Sequence, residues 1–549
     1  MQFYLYLGRV SIQAPVPDSF DNEVPPSNEG TADEIAAEVT IDQALAIAQK
    51  RYAPRRMPRG GLFGWIGPIA VTLLAALLRL PRLGSPHAVV FDETYYVKDA
   101  LSLLTFGVEH KTVEGADALL LKSNGQITAG LFTNDPSYIV HPPIGKWIIA
   151  SGEHFFGATP FGWRIAVALC GILTVLITAR VARRISRSNF VGTLAGAFLA
   201  IDGLHIVMSR TALLDTPLSL FVLAAFGCLI LDRDSVREHF AHEARFSEDG
   251  TFVAPTAGTH KWRWLMVLFL GIACGTKWSA LYFAVAFGVL MLWWDAETRA
   301  VTHPQSHINA WLRKDLLPAL TMPFAIITIY IASWVGWFRS TTGWNRHWAQ
   351  DNDAHSWLPQ SLVSLMHYHH DMLTFHTHLT SPHSYAANPW GWPLMIRPTS
   401  FFYESAATCG AQACAQEVLP LGNPVIWWGG VLAILALIVI AVKTRTEYAT
   451  PIVVAFAAGW VPWLFFAHRT VFTFYSVVFV PYMVMGLAIG LWLLNKQLVR
   501  SKLPVRLRWP ALVTLTVAVV LAYYFFPLYV AHSLPYDSWH ARMWFPSWI

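Results

Sequence analysis

Charge is scarce in this sequence. Only 13% of its 549 residues are charged, while 54% are hydrophobic. A soluble domain carries roughly 25% charged residues, so the composition excludes one and leaves a polytopic membrane protein. The glycine patterns that cradle nucleotide phosphates are also missing: there is no P-loop, no Rossmann fingerprint and no Gly-x-Ser-x-Gly elbow. That argues against an enzyme fed by ATP or a nucleotide sugar. No secretory signal peptide is expected, because about 60 mostly polar residues precede the first apolar run. Neither an internal repeat nor an Asn-x-Ser/Thr sequon occurs. Cysteine is rare, at five. Cys170, Cys228 and Cys274 fall in apolar runs, as packing residues do. Cys409 and Cys414 lie in a polar loop, either as a small disulfide in an oxidising compartment or as free thiols.

Long apolar runs are plentiful. With about 20 residues needed to cross the hydrocarbon core, the sequence predicts eleven spans, near 62–80, 162–180, 190–203, 213–231, 263–275, 278–294, 317–336, 425–442, 451–467, 472–494 and 510–530. Residues 1–61 read as a mostly disordered cytoplasmic tail, acidic at first, with one short helix after Thr31 and a basic cluster of Arg51, Arg55, Arg56 and Arg59. By the positive-inside rule the tail is cytoplasmic. Arg180, Arg183, Arg184 and Arg187, then Lys443 and Arg445, then Lys496, Arg500, Lys502, Arg506 and Arg508 fall on the same side in the eleven-span count, which puts the C-terminus outside. Residues 62–549 form the catalytic domain in this reading. Its two long loops, 81–161 and 337–424, lie outside; loops of such length are usually functional. Residues 147–156 suit an interfacial amphipathic helix.

The chemistry is expected around Val90-Phe91-Asp92-Glu93-Thr94-Tyr95-Tyr96. Helical neighbours point about 100° apart, so only one of the two carboxylates faces a given pocket and the other supports it or meets solvent. The bland alternative is a solvated acid pair. Asp202, His205, Arg210 and Asp215 are ionisable groups in an apolar stretch, where a charge costs about 2.5–3.5 kcal/mol unless it meets a cavity or a partner. An Arg210–Asp215 ion pair holding two helices is the structural alternative. Lys277 beside Trp278 either snorkels or holds a lipid phosphate. Eight histidines lie between His347 and His383, without a metalloprotease or cysteine-based metal spacing.

The ordered set Phe91-Asp92-Glu93, His141-Pro142-Pro143-Ile144-Gly145-Lys146, Gly162-Trp163-Arg164, Arg210 to Asp215, Thr276-Lys277-Trp278, His376 to His383 and Pro389-Trp390-Gly391-Trp392-Pro393 resembles the protein O-mannosyltransferases, in their actinobacterial branch. The resemblance runs from about Leu62 to the C-terminus. Loop 337–424 has no room for the β-trefoil domain of eukaryotic relatives. The resemblance implies an all-α GT-C fold of about eleven helices. It implies a polyprenyl-phosphate mannose donor and Ser/Thr of translocating polypeptides as acceptor, with the translocation machinery as a possible partner. It implies Asp92, with Glu93, as the catalytic acids and Asp92 as general base. Arg210 and Lys277 fall near the donor phosphate. Asp215, Tyr96, His141, Lys146, His376, His383, Trp390 and Trp392 are the expected pocket residues. No cofactor is expected, since the lipid-linked mannose is a substrate; a divalent-metal requirement stays open. The rival readings are a GT-C enzyme acting on a glycolipid or polysaccharide, and a lipid-linked sugar transporter, against which the lack of a repeat counts.

Overall fold

The computed structural model describes residues 57–58, 60–123, 125–126, 129–243, 245–246, 252–253, 260–302, 307–405, 408–444, 446–500 and 509–549. The expected tail helix and Arg51, Arg55, Arg56, Arg59, Arg445, Lys502, Arg506 and Arg508 lie outside these residues. The helices used below are α1 (Phe63–Arg79), α2 (Glu93–Phe106), α3 (Ile144–Phe156), α4 (Pro160–Ser186), α5 (Asn189–Ile201), α6 (Gly203–Arg210), α7 (Asp215–Glu243), α8 (Lys261–Cys274) and α9 (Ala280–Thr302). They continue with α10 (His307–Ser333), α11 (Gln360–His378), α12 (Pro424–Thr444), α13 (Ala449–Leu464), α14 (Val480–Arg500) and α15 (Trp509–Tyr529).

Each of the eleven expected spans has a helical counterpart. Among the described residues seven helices are long and apolar enough to cross a membrane, or eight if the bent pair α5–α6 is one span. The chain is a multi-pass helical membrane protein. Several boundaries differ from expectation: α7 and α9 run on to Glu243 and Thr302, and α10 starts at His307. Residues 473–478 form a 3-10 turn rather than the start of a span, and α14 begins at Val480 with Pro481 in its first turn, where proline's missing N–H costs nothing.

The bend between α5 and α6, 62°, comes from Asp202. Its backbone is extended, and its carboxylate caps α6 by accepting from the His205 N–H at 3.0 Å. The other oxygen accepts from Asn423 N at 3.0 Å and Trp427 Nε1 at 2.8 Å, tying the bend to the start of α12. The break frees carbonyls at the end of α5. Arg79, buried at the end of α1, donates to two of them, on Ala200 (2.9 Å) and Leu199 (3.2 Å). Gly145 and Gly275 permit a close approach nearby. A Cβ at Gly145 would come within 2.8 Å of Leu214, and one at Gly275 within 2.5 Å of Ile144. This lets the Ile144 N–H reach the Gly275 carbonyl at 2.9 Å.

The arginine cluster and the acidic loops sit at opposite ends of the bundle. Asp215 opens α7, and Asp234, nineteen positions further on, pairs with Arg184 (2.8 Å) and Arg187 (2.6 Å); at 1.5 Å per residue the two ends are about 28 Å apart. The two long loops pack together at the Asp215 end. The Tyr368 hydroxyl accepts from Ile139 N (3.0 Å), His376 Nε2 bonds the Val140 carbonyl (2.6 Å), and Phe91 stacks on Phe401.

Candidate active site

Asp92 and Glu93 are adjacent but do different work. Phe91 has a positive φ of 50°, a costly setting for a bulky residue. The rings of Phe401, Phe472, Phe474 and His383 enclose it at centroid distances of 4.7, 5.7, 5.5 and 6.1 Å. The twist turns Glu93 inward. Its side chain is fully buried, and it accepts from Arg164 Nε and Nη2 (both 2.8 Å), Ala212 N (3.0 Å) and Val90 N (2.9 Å). Four donors fill the carboxylate, so the expected catalytic Glu93 is a structural anchor.

Asp92 is the opposite case. It occupies the N-cap position of α2 yet makes no capping bond, and among the described residues its carboxylate has no hydrogen-bond or ion-pair partner. Burial pushes its pKa up to about 6; Lys277 opposes the shift and the Asp215 charge adds to it. A half-buried, unpaired carboxylate with that pKa is poised to accept a proton near neutral pH.

Lys277 and Asp215 stand beside it. Lys277 Nζ lies 2.9 and 3.0 Å from the two Asp215 oxygens and 4.3 Å from the ring centre of Tyr475. The alternative Arg210–Asp215 pair therefore does not form. Arg210 also stays out of this group. Its guanidinium donates to the carbonyls of Arg79 (2.5 Å), Pro81 (2.9 Å) and Arg82 (2.9 Å), locking the α1–α2 connection. The guanidinium expected near the donor phosphate is thus engaged by backbone carbonyls just past the end of α1.

The other expected pocket residues divide in the same way. Tyr96 packs beside His141 (centroids 6.1 Å), which stacks on His376 (5.1 Å). Burial holds His141 well below the usual histidine range and His376 down at about 4, so both rings are neutral at pH 7. His383 is exposed at the rim, edge-on to Phe472 at 4.9 Å. Lys146 is buried against Glu109, with Asp99 at 3.9 Å. Trp390 is 63% exposed, whereas Trp392 is 0% exposed, its indole N–H donating to the Ala387 carbonyl (2.9 Å). Trp392 therefore has no free face for a substrate. Among the described residues no three His, Cys, Asp or Glu side chains converge as a metal site needs. Cys409 and Cys414 are bonded to each other.

Two residues at the site carry no signal in the sequence reading. Tyr475 falls inside the expected 472–494 span, yet it forms the floor under Lys277. Arg469 lies between two expected spans. Its Nε is buried without a partner, and its charge acts on Tyr475, His141 and His376. Among the described residues no hydrogen bond engages its guanidinium, a costly state for a shielded cation unless something else arrives. An isolated Arg between apolar runs reads only as a turn; its shared electrostatic neighbourhood with Lys277 is tertiary.

The fold matches that of the Saccharomyces cerevisiae protein O-mannosyltransferase Pmt1-Pmt2 complex bound to the sugar donor, with a TM-score of 0.66 at 15% identity, covering 92% of this chain and 94% of that one. The likeness is one of fold, a membrane-embedded helical bundle. Residues 69–331 match the family model for dolichyl-phosphate-mannose-protein mannosyltransferase, and residues 361–548 match the C-terminal four-helix region of protein O-mannosyltransferase. Polyprenol-phosphate-mannose–protein mannosyltransferases of Mycolicibacterium smegmatis and Mycobacterium tuberculosis are each 35% identical, over 88% and 89% of this chain and 93% of theirs. That of Corynebacterium glutamicum is 32% identical over 87% of this chain and 91% of its own. The chain belongs to the protein O-mannosyltransferase family.

Proposed function

We propose that this protein transfers mannose from a polyprenyl-phosphate mannose to Ser or Thr hydroxyls of secreted polypeptides, on the extracytoplasmic face of the plasma membrane. The observation that carries the mechanism is the unpaired, burial-shifted Asp92 beside the Lys277–Asp215 pair. The names of the relatives supply the donor and acceptor classes. The arginine cluster at the far end of α4 and α7 supports the side: positive residues stay inside, so the Asp92 end faces out.

Asp92 takes the proton of the acceptor hydroxyl as its oxygen attacks the anomeric carbon. The bond from that carbon to the phosphate oxygen breaks on the opposite face, so configuration inverts. Polyprenyl phosphate leaves as an anion that needs cations, not an acid. Lys277 and Arg469 supply them, Arg469 taking the role expected of Arg210. The neutral imidazoles of His141 and His376 line the sugar's surroundings without competing for the phosphate. The step needs no metal or other cofactor.

The test is transfer of labelled mannose from a polyprenyl-phosphate mannose to a Thr-containing peptide by purified protein. Labelled peptide is expected. Donor consumption with label appearing only in a glycolipid would overturn the acceptor assignment. Intact donor with folded protein would overturn the transferase reading.

A further inference from the structure

A recess of about 380 Å³ opens beside the site, lined by Tyr138, Trp344, Asp371, Thr374 and Phe375. No step of the proposed reaction uses it. Asp371, Thr374 and Phe375 are spaced i, i+3, i+4 on α11, so they share one face. Tyr138 closes the recess from the first long loop, its ring 5.6 Å from Trp344 and 6.3 Å from Phe375. A row of rings runs from the recess lining to the site: Phe375 lies 5.7 Å from His376, His376 stacks on His141, and His141 adjoins Tyr96.

Its polar groups are incompletely used. The Tyr138 hydroxyl and the Trp344 indole N–H are shielded and have no hydrogen-bond partner among the described residues. Asp371 has only weak company, Asn345 Nδ2 at 3.3 Å and His367 Nε2 at 3.6 Å. The lining thus combines a carboxylate acceptor and flat aromatic faces with an indole N–H and a hydroxyl that are shielded and unpartnered. A cationic side chain would suit the carboxylate but would only donate, leaving the indole N–H unmatched. A sugar hydroxyl donates and accepts at once, and the apolar face of a pyranose suits an aromatic wall.

We propose that this recess is a carbohydrate subsite that holds a mannose already attached to the acceptor polypeptide, so that a free Thr or Ser nearby in the same chain is presented to Asp92. This rests on the transferase reading above. Its consequence is a preference for acceptors that already carry a sugar, and hence clustered modification.

The experiment compares two peptides of one sequence, one unmodified and one carrying an α-mannosyl Thr close to the free Thr. The parent is expected to show a lower KM for the glycopeptide. Trp344→Ala and Asp371→Asn are each expected to raise that KM by about tenfold, the scale of one lost hydrogen bond to a charged group, while KM and kcat for the unmodified peptide stay as they were. Methyl α-mannoside should compete with the glycopeptide and leave the unmodified peptide's transfer unchanged; inhibition of both peptides alike would place the free sugar in the catalytic centre and overturn the subsite. Equal KM for both peptides in the parent also overturns it, as does an equal shift of both by the variants, which would make the recess a plain polypeptide groove. If Trp344→Ala lowers the melting temperature, Asp371→Asn alone decides. Failure of the parent to label the unmodified peptide would instead count against the transferase reading.

Discussion

Arg164 grips both oxygens of Glu93 at 2.8 Å, and the pair is nearly inaccessible to solvent. It fixes the start of α2 against α4 and so sets the direction of Asp92, one residue earlier. Glu93→Gln is expected to destabilise the protein by about 3–5 kcal/mol, because the Arg164 charge stays buried without its counter-ion. Thermal unfolding in detergent checks this. An unchanged melting temperature with lost activity would return Glu93 to the chemistry.

Asp92→Asn keeps the shape and removes the base. Its kcat is expected to fall at least ~100-fold, the lower range of general-base catalysis, with the melting temperature unchanged and donor binding retained. Single-turnover transfer measures it, and transfer at the parental rate would dismiss Asp92 as base.

The same carboxylate sets a pH dependence. Only the ionised form accepts a proton, and burial raises its pKa to about 6. The rate should therefore rise as pH increases through about 6 and level off above it. A profile flat from pH 5 to 8 would contradict this assignment; His376, near 4, cannot supply the inflection.

Arg469 and Arg210 should separate. Arg469→Ala is expected to raise the KM for donor about tenfold or more, as loss of a charge-assisted contact does, with little change in stability and partial rescue by Arg469→Lys. Arg210→Ala should instead lower the melting temperature, since three hydrogen bonds to backbone carbonyls are lost. Donor titrations and unfolding scans on both variants give the answer; a stability loss at Arg469 with unchanged donor KM would remove it from the phosphate.

The two tryptophans of the Pro389–Pro393 turn should also differ. Trp392→Ala opens a cavity in a filled position and is expected to cost about 3–5 kcal/mol. Trp390→Ala, at an exposed ring, should leave stability within about 0.5 kcal/mol. Parallel unfolding scans decide between this and equal roles.

Much of this molecule was decided locally. Apolar runs and arginine clusters were enough to locate eleven helical segments, because burying a backbone in lipid demands helices and each helix closes its own hydrogen bonds. The motif order was enough to reach the family. The division of labour within the motifs was not local. Glu93 and Asp92 are indistinguishable along the chain, and Glu93 became the anchor only where Arg164, seventy-one positions away, and Ala212 met it. Arg210 and Arg469 part for the same reason: carbonyls after α1 engage one guanidinium, and among the described residues no hydrogen bond engages the other. Trp390 and Trp392 read alike in sequence, and packing alone buried one. Which charge is satisfied and which is left for a substrate depends on partners brought together by folding, and a residue's spacing along the chain does not encode them.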